Sequence, residues 1–529
     1  MKRRTILAAG GGLAATAAWT TACGSNAGHA NPSGSGAASG GVGLNSASQT
    51  GKPPADKASW DALRKSLDGQ LIRAGEASYD TARRLYNTRY DNLRPAAVAY
   101  VRHPADIAEC LSFARRYNAP VAIRNGGHSY AGWSSGNGKL IVDVSALNQV
   151  SAPSGGITRI GAGAKLIEVY EGLGKHNATI PGGSCPTVGI SGLTLGGGHG
   201  VASRAYGLTC DSLVGATLVT ADGKTLECDA KRNSDLFWAL RGAGNANFGV
   251  VTELRFRTHA APRSVMAYMS WPWSKATAVL RSWQEWGPTQ PDDIWSSLHL
   301  DAHPGGTPTV SVAAFSLGSY GDLQNAVDKL ADRAGGPGPA KTVRLTPTSY
   351  LDAMESYAGC SSKTTEQCHL PGAVPGRSAS GALGRETYAA RSDFYDRSLD
   401  AAGMRALLGQ IEAASRKGVA GNASLTALGG AINRVGPTDT AFVHRRSRFL
   451  AQYLASWKAG GTSSAQSAWL TSIHGAMRRY ASGAAYQNYT DPALTDWKKS
   501  YYGPAVGRLT ELKQQYDPNG LFRTFPQAL

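Results

Sequence analysis

The sequence predicts an α+β protein that is divided into two domains. Its 529 residues are too many for one hydrophobic core, since single cores stop growing at about 250–300 residues. From about Trp60 onward, strand-like and helix-like segments alternate between glycine-rich loops. After about His259 the glycine clusters become rarer, and the strand and helix candidates become longer. We therefore predict a first domain over residues 60–260, a second over 261–481, and a C-terminal segment, 482–529, that returns to the first domain.

Residues 1–30 have the features of an export signal. Arg3 and Arg4 precede a weakly apolar stretch of Ala and Gly that is too short to span a bilayer as a helix. Paired arginines are typical of the twin-arginine route, which carries folded proteins. We expect an extracellular protein, or one attached to the outer face of the cytoplasmic membrane if Cys23 receives a lipid anchor; plain cleavage and an uncleaved tail are the alternatives. The Gly- and Ser-rich residues 31–59 are typical of a disordered linker.

The chain is basic, with 54 Lys and Arg against 37 Asp and Glu and a formal net charge of +17. This charge would suit an anionic partner, and it would equally suit a surface of scattered, solvated cations. No basic run with interleaved aromatic residues is present, so nucleic-acid binding is excluded as the function.

Seven cysteines in an exported chain predict disulfides and leave at least one cysteine with another role. Cys360 and Cys368 bracket a polar loop and form the expected bridge. Cys110 lies on the apolar stripe of a predicted helix, which favours a position in the core. The pattern around Cys210 and Cys228 assigns them no role.

The first domain opens with a β-α-β unit. "AAVAYV" and "APVAIR" have strand patterns, and "PADIAECLSFARRYN" between them has a helical pattern. "LIVDVS" and "TRIGAG" continue as strands, and "AKLIEVYEGLGKH" continues as a helix. "DSLVGATLVTADGKTLEC" predicts a hairpin that turns at Asp222 and Gly223. In the second domain, "TVSVAAFSLG" and "RFLAQYLASW" are strand candidates.

Glycine-rich loops at strand ends let backbone N–H groups approach a pyrophosphate, and three such loops occur before residue 250. None is followed by Gly-Lys-Ser/Thr, which excludes a nucleoside-triphosphate P-loop. "GAGNANFG" does not match the G-x-G-x-x-G motif fully. The remaining interpretation is a dinucleotide that is bound in a different way. An ordinary tight turn is the alternative for each loop.

Two of these loops carry nucleophilic side chains. His128 in "RNGGHSYAG" and Cys185 in "PGGSCPTVG" lie where the backbone opens towards a ligand. Deprotonated His and Cys are nucleophiles, so this pair is suited to covalent bonds with an electrophilic cofactor ring. A hydrogen-bonded histidine and a buried or bridged cysteine are the alternatives. Tyr130 in the first loop and Tyr486 near the C-terminus are expected to serve ring packing.

Residues 60–529 contain these loops and the motifs "GISGLTLGGGHG", "YGLTCDSL", "DLFWALRG", "NFGVVT", "YQNY" and "DPNGLFRTFPQ". Through these loops and motifs, residues 60–529 resemble the berberine-bridge-enzyme-like branch of the vanillyl-alcohol-oxidase superfamily. The resemblance implies a two-part PCMH-type FAD-binding domain plus a substrate domain with an antiparallel sheet backed by helices. It implies bicovalent FAD, with His128 bonded to the 8α-methyl group and Cys185 bonded to C6. No metal site is predicted. The further cofactor contacts that the motifs imply are Arg124, Asn125, Gly126, Gly127, Ser129, Gly189, Gly192, Gly249, Val251 and Asn488.

The resemblance also implies catalytic residues. Tyr489, the second tyrosine of "YQNY", takes the position of the base, and a free phenol with a pKa of about 10 needs a neighbouring cation or donor for that role. Plant relatives supply a lysine two residues before a glutamine, whereas here Leu450 precedes Gln452. His199 occupies the position of an active-site tyrosine and is a candidate for substrate contact or proton relay, or for capping of the backbone. Val188 matches the valine of relatives that react readily with dioxygen.

The resulting prediction is an exported, monomeric FAD-dependent oxidase. Tyr489 would take a proton from a substrate hydroxyl as hydride passes to flavin N5, and dioxygen would then accept the electrons and give hydrogen peroxide. The expected substrate is a carbohydrate, or a glycosylated or polycyclic natural product. A dehydrogenase with a quinone or protein acceptor and a non-catalytic surface-binding protein are the alternatives.

Overall fold

Two four-stranded sheets form the first domain of the structure, a computed structural model that describes residues 54–523 and 525–529. The strands of the first sheet are β1 (Gln70–Arg73), β2 (Ala97–Tyr100), β3 (Val121–Arg124) and β4 (Leu140–Asp143). Their order is β1-β2-β4-β3, with β1 antiparallel to β2 and the other neighbours parallel. The predicted β-α-β unit is confirmed, although β4 inserts between its two strands.

The second sheet of the first domain is antiparallel throughout. The next strands along the chain are β5 (Ile157–Gly161), β6 (Ala178–Thr179), β7 (Leu213–Val219), β8 (Thr225–Asp229), β9 (Val250–Arg257) and β10 (His259–Ala260). The sheet order is β5-β9-β7-β8, and the short strands β6 and β10 pair with each other. The predicted hairpin at Asp222 and Gly223 is confirmed as the turn between β7 and β8.

Seven helices accompany these strands in the described part of the first domain. They are α1 (Lys57–Ser66), α2 (Tyr79–Ala82), α3 (Pro104–Tyr117), α4 (Leu166–Gly174), α5 (Ile190–Leu195), α6 (Ser203–Tyr206) and α7 (Ser234–Leu240). Helix α1 corrects the predicted linker, because it begins at Lys57. Asp56 caps it by accepting a hydrogen bond of 2.8 Å from Ser59 N, and Trp60 and Leu63 are buried. The predicted export signal and residues 31–53 of the linker lie outside the described residues.

One large antiparallel sheet forms the second domain. Its strands are β11 (Ser264–Trp271), β12 (Ile294–Asp301), β13 (Thr309–Ser316), β14 (Thr342–Thr348), β15 (Tyr388–Tyr395), β16 (Ala420–Ala427) and β17 (Phe449–Ser456). The order is β14-β11-β13-β12-β16-β17-β15, and every neighbouring pair is antiparallel. The two predicted strand candidates are confirmed as β13 and β17.

Helices cover one face of this sheet. The helices of the second domain are α8 (Ala276–Trp286), α9 (Tyr320–Ala331), α10 (Tyr350–Tyr357), α11 (Ala401–Arg416), α12 (Ala431–Arg434) and α13 (Ser464–Arg478). Leu298 and Leu300 of β12 share a hydrophobic core with Trp283 of α8 and Ile411 of α11. Because side chains alternate across a strand, the residues between these leucines face the other side of the sheet. The antiparallel sheet backed by helices is therefore confirmed.

The C-terminal segment packs against the first domain through α14 (Trp497–Tyr502) and α15 (Val506–Tyr516). Leu509 and Leu512 of α15 belong to the hydrophobic core of that domain. Lys513 is fully buried, donates a hydrogen bond of 2.6 Å to the carbonyl of Asn247, and pairs with Asp517 at 2.9 Å. The "YQNY" motif is thereby held against the first domain.

The predicted disulfide and the predicted core cysteine are confirmed. Cys360 and Cys368 form a disulfide with 5.9 Å between their Cα atoms, and Cys110 is buried in the core. Cys210 and Cys228, which the sequence left without a role, are buried free thiols. Among the described residues, no helix is both long enough and apolar enough to span a bilayer.

Candidate active site

A cavity of about 430 Å³ lies between the glycine-rich loops of the first domain and the polar face of the large sheet. Its volume falls within the range of small-molecule sites, roughly 300–1,000 Å³. It brings most of the predicted site residues to one place. Those that line it are Asn125, Gly126, Gly127, His128, Ser129, Cys185, Gly189, Gly192, His199, Gln452, Asn488 and Tyr489.

Three predicted cofactor contacts do not line this cavity. Arg124 is buried and turns its guanidinium to the carboxylate of Asp143. Gly249 lies against β7, where a Cβ atom would meet the carbonyl oxygen of Val219 at 2.6 Å. Val251 lies in β9 and pairs with Leu218 of the neighbouring strand β7. These three cofactor contacts stay predictions: Arg124 ends β3 directly before the loop that carries His128, and Gly249 and Val251 lie at the start of β9.

Close contact between two loops places His128 and Cys185 on one cavity. The loop after β3 turns at Gly127, whose φ of +69° favours glycine. A Cβ atom on Gly126 would lie 2.6 Å from the backbone nitrogen of Gly189, so only glycine permits this approach. The loop that carries Cys185 therefore packs directly on the loop that carries His128.

The imidazole of His128 is held from two sides. Its Nε2 atom lies 2.8 Å from the hydroxyl of Thr187, and its ring stacks on Tyr86 with 3.9 Å between ring centroids. Burial, together with the charge of Lys165, lowers the pKa of His128 to about 3. The ring is therefore neutral at physiological pH and keeps a lone pair, as a nucleophile requires.

Cys185 lines the same cavity as this histidine. Its thiolate form is a nucleophile, so the position of Cys185 is suited to the tether that the sequence predicts.

Tyr489 and His199 form a buried pair in the cavity. The hydroxyl of Tyr489 lies 2.8 Å from Nε2 of His199. Burial raises the pKa of Tyr489 above its ordinary value and lowers the pKa of His199 to about 4. Nδ1 of His199 is buried without a hydrogen-bond partner among the described residues. At neutral pH the pair is uncharged, and Nδ1 of His199 can form a hydrogen bond with a ligand.

Gln452 is connected to Tyr489 through a second tyrosine. Its Nε2 atom donates a hydrogen bond of 2.7 Å to the hydroxyl of Tyr130. The ring of Tyr130 stacks on that of Tyr489, with 5.2 Å between centroids and 16° between planes. Sequence reasoning assigned Tyr130 to packing alone and so missed its place beside the candidate base.

Asn488 and Tyr486 hold the "GGGHG" loop. Asn488 accepts a hydrogen bond of 2.9 Å from Asn245, a residue that the sequence did not single out, and donates one to the carbonyl of Leu193. The hydroxyl of Tyr486 accepts a hydrogen bond of 2.8 Å from the backbone nitrogen of Gly198. The ring of Tyr486 packs edge-on against Phe394 and Phe442, which agrees with the predicted ring packing.

The polar face of the large sheet supplies the opposite wall, and sequence reasoning missed it. A signal was present: "SSLHLD" and "NASLTA" alternate polar and apolar residues, as expected for strands with one face off the core. Nothing in the sequence shows that this face looks into a cavity. The missed residues of this wall are Tyr268, Trp295, Ser297, His299, Asp301, Ser311, Ser424 and Thr426.

The cavity wall fits a flat, polar cofactor such as FAD. A Cβ atom on Gly192 would meet nothing within 4 Å, so α5 presents bare backbone to the cavity. The hydroxyl of Ser134 and Nδ1 of His199 are buried, line the cavity and make no hydrogen bond within the described residues. Buried polar atoms without partners are rare in folded proteins, which favours a ligand that completes them.

The chain is similar to known flavoproteins over almost its whole described length. Family models match residues 95–229 (FAD binding domain) and 485–528 (Berberine and berberine like). The FAD-linked oxidoreductase YgaK of Bacillus subtilis is 30% identical over 475 residues, which cover 88% of this chain and 98% of that protein. A chitooligosaccharide oxidase of Gibberella zeae is 30% identical over 478 residues, covering 86% and 91%. The solved structure of Physcomitrella patens BBE-like 1 has a TM-score of 0.80 at 29% identity, covering 89% and 98%.

The two matched ranges contain the loops and the "YQNY" motif that meet at the cavity. One range carries His128, Cys185 and His199, and the other carries Asn488 and Tyr489. The chain is thus an FAD-linked oxidoreductase, and it belongs to the berberine-bridge-enzyme-like family.

Proposed function

We propose that the protein is an exported, monomeric oxidase that removes hydride from a hydroxyl-bearing carbohydrate and passes the electrons to dioxygen. The pair of Tyr489 and His199 in the FAD cavity carries this proposal. FAD, when bound, would supply the hydride acceptor and the route of the electrons to dioxygen, which would be reduced to hydrogen peroxide. The polar sheet wall and the likeness to a chitooligosaccharide oxidase favour a carbohydrate over an apolar natural product.

Tyr489 acts as the base in this proposal. Because burial raises the pKa of Tyr489, its phenolate is scarce at neutral pH unless a donor faces it. His199 is that donor when Nε2 carries the ring proton, since Nε2 lies 2.8 Å from the phenol oxygen. Nδ1 is then an acceptor. This arrangement takes the place of the lysine that Leu450 replaces, and the proton of the substrate hydroxyl passes to Tyr489.

We further propose that FAD is bound covalently through both His128 and Cys185. Thr187 occupies Nε2 of His128, which leaves Nδ1 as the ring nitrogen directed to other partners. The neutral state of the ring supports nucleophilic attack. Cys185 lines the same cavity and supplies the second nucleophile as its thiolate.

Export by the twin-arginine route is part of the proposal and rests on Arg3 and Arg4. Replacing both by lysine should leave the protein in the cytoplasm. A wild-type chain that stays there would overturn this part, and labelling with a radioactive fatty acid shows whether Cys23 carries a lipid anchor.

A peroxide assay on a panel of neutral and amino oligosaccharides tests the oxidase activity. We expect wild type to release hydrogen peroxide, and Tyr489→Phe to lower kcat by roughly 10²–10⁴-fold while its flavin content stays the same. Tyr320→Phe, which changes an exposed tyrosine, is the matched control. Turnover with an artificial dye but not with dioxygen would indicate a dehydrogenase, and unchanged turnover in Tyr489→Phe would refute the base assignment.

A further inference from the structure

The cavity extends along the large sheet well beyond the Tyr489 pair. Gln452 of β17 stands opposite Ser424 of β16, and Ser424 stands opposite His299 of β12. Neighbouring strands lie about 4.8 Å apart, so His299 is roughly 10 Å from Gln452 across the sheet. Asp301 lies two residues further along β12, a step of about 7 Å. The distant end of the cavity therefore faces a different part of a substrate from the end at Tyr489.

Asp301 is the only residue with a formal charge at neutral pH among the described residues that line the cavity. No lysine, arginine or other carboxylate belongs to the wall. Burial lowers the pKa of His128 to about 3 and that of His199 to about 4, and it also lowers the pKa of His299, so all three imidazoles are neutral. The cavity therefore carries one uncompensated negative charge.

The neighbours of Asp301 orient its carboxylate without neutralising it. The side-chain amide of Asn422 donates a hydrogen bond to Oδ1. His299 uses both ring nitrogens elsewhere, with Nε2 at 2.7 Å from the hydroxyl of Ser297 and Nδ1 at 3.0 Å from the hydroxyl of Ser424. No hydrogen bond to Oδ2 of Asp301 occurs within the described residues. A partly buried carboxylate with one oxygen that accepts no hydrogen bond is stabilised most by a cationic group with N–H donors.

We propose that Asp301 is a specificity determinant that binds the ammonium group of an amino sugar, one or more units away from the sugar whose hydroxyl meets Tyr489. The preferred substrate is then a cationic oligosaccharide. The inference rests on the proposed oxidase function and names the substrate class of the same site. An anionic saccharide is disfavoured, because its carboxylate would face the carboxylate of Asp301.

Binding to a variant that lacks the base separates this inference from catalysis. In Tyr489→Phe, the tetramer of glucosamine should bind at least 10-fold more tightly at pH 6 than the tetramer of N-acetylglucosamine, which has the same backbone without the positive charge. Adding Asp301→Asn should remove the difference by weakening only the charged tetramer. Asp332→Asn, at an exposed carboxylate outside the cavity, is the matched control and should preserve the difference.

Isothermal titration calorimetry gives both dissociation constants. Equal affinities for the two tetramers, or a preference that survives Asp301→Asn, would overturn the inference. The wild-type oxidase assay distinguishes this result from a failure of the proposed function. If neutral tetramers and the charged tetramer release peroxide at equal rates, only the amino-sugar preference is refuted. If no saccharide gives peroxide or reduces the dye, the function on which the inference rests is refuted.

Discussion

In the proposed mechanism, His199 takes the task that a lysine at the position of Leu450 would otherwise serve. Its neutral ring can stabilise the phenolate of Tyr489 only by donating a hydrogen bond, because burial keeps its pKa at about 4. A donor without charge stabilises a phenolate less than an ammonium group does. The base is therefore expected to remain protonated over most of the neutral range.

This protonation predicts the pH dependence of turnover. Because the deprotonated form of Tyr489 is the active one in the proposal and burial raises its pKa, kcat/KM for a neutral oligosaccharide should rise with pH between 6 and 9 without reaching a plateau. His199→Leu should lower kcat by about 10²-fold, and His199→Gln, which keeps an N–H donor, should restore part of that loss. Steady-state profiles for the three proteins provide the measurement, and a bell-shaped or flat profile for wild type would contradict the assignment.

Tyr130 shows why the sequence could predict some site residues and not others. The motif placed Tyr130 near His128 in the chain, but its ring stacks on Tyr489, about 360 residues away, and its hydroxyl bonds to Gln452. Such long-range contacts depend on the docking of two domains. Residues carried by a motif were predictable, whereas residues that act through tertiary packing were not.

At the scale of elements, strand patterns predicted the sheets well. β12 and β16 alternate as half-buried strands do, and one polar set, Ser297, His299 and Asp301, lines the cavity. Alternation shows that a strand has two unlike faces. It does not show whether the polar face meets solvent or a ligand, so the substrate wall escaped sequence analysis.

Helix α5 offers a prediction about the cofactor. Gly192→Ala should leave the apoprotein as stable as wild type or slightly more stable, because alanine favours a helix over glycine by up to about 1 kcal/mol and its Cβ atom meets nothing. The same methyl group should weaken FAD binding if the cofactor lies on this backbone. Flavin content by absorbance and apoprotein melting by circular dichroism provide the two measurements.

Gly409→Ala is the matched control, since it adds a methyl group to α11 in open space far from the cavity wall. This substitution should change neither the flavin content nor the circular-dichroism spectrum of the apoprotein. Full flavin content in Gly192→Ala would show that the cofactor does not approach α5.

At the scale of the whole molecule, Arg204 joins the two domains. It follows the "GGGHG" loop, is 1% exposed, and donates hydrogen bonds to the carbonyls of Ile294 at 2.9 Å and Pro288 at 3.1 Å, as well as to those of Gln290 and Leu428. All four acceptors belong to the second domain. Sequence patterns could not predict this contact, because it joins segments that are distant in the chain.

Arg204→Met should remove these hydrogen bonds and leave buried carbonyls without donors, which costs roughly 2–5 kcal/mol of folding free energy. The melting temperature should fall, and the flavin should become more accessible to solvent-borne quenchers. Arg405→Met, at an exposed position of α11, is the control and should melt like wild type. Calorimetry on the FAD-loaded proteins decides the matter, and an unchanged melting temperature would show that the domain contact does not depend on Arg204.

The covalent attachment of FAD tests the account of the cavity most directly. The measurement is the intact mass and visible spectrum of the denatured, reduced protein, for wild type, His128→Ala, Cys185→Ala and the double variant. Reduction opens any disulfide at Cys185 but leaves a carbon–sulfur bond intact. We predict that flavin stays on wild type and on each single variant, and leaves only the double variant. Release of all flavin from wild type, or from either single variant, would contradict attachment through both residues.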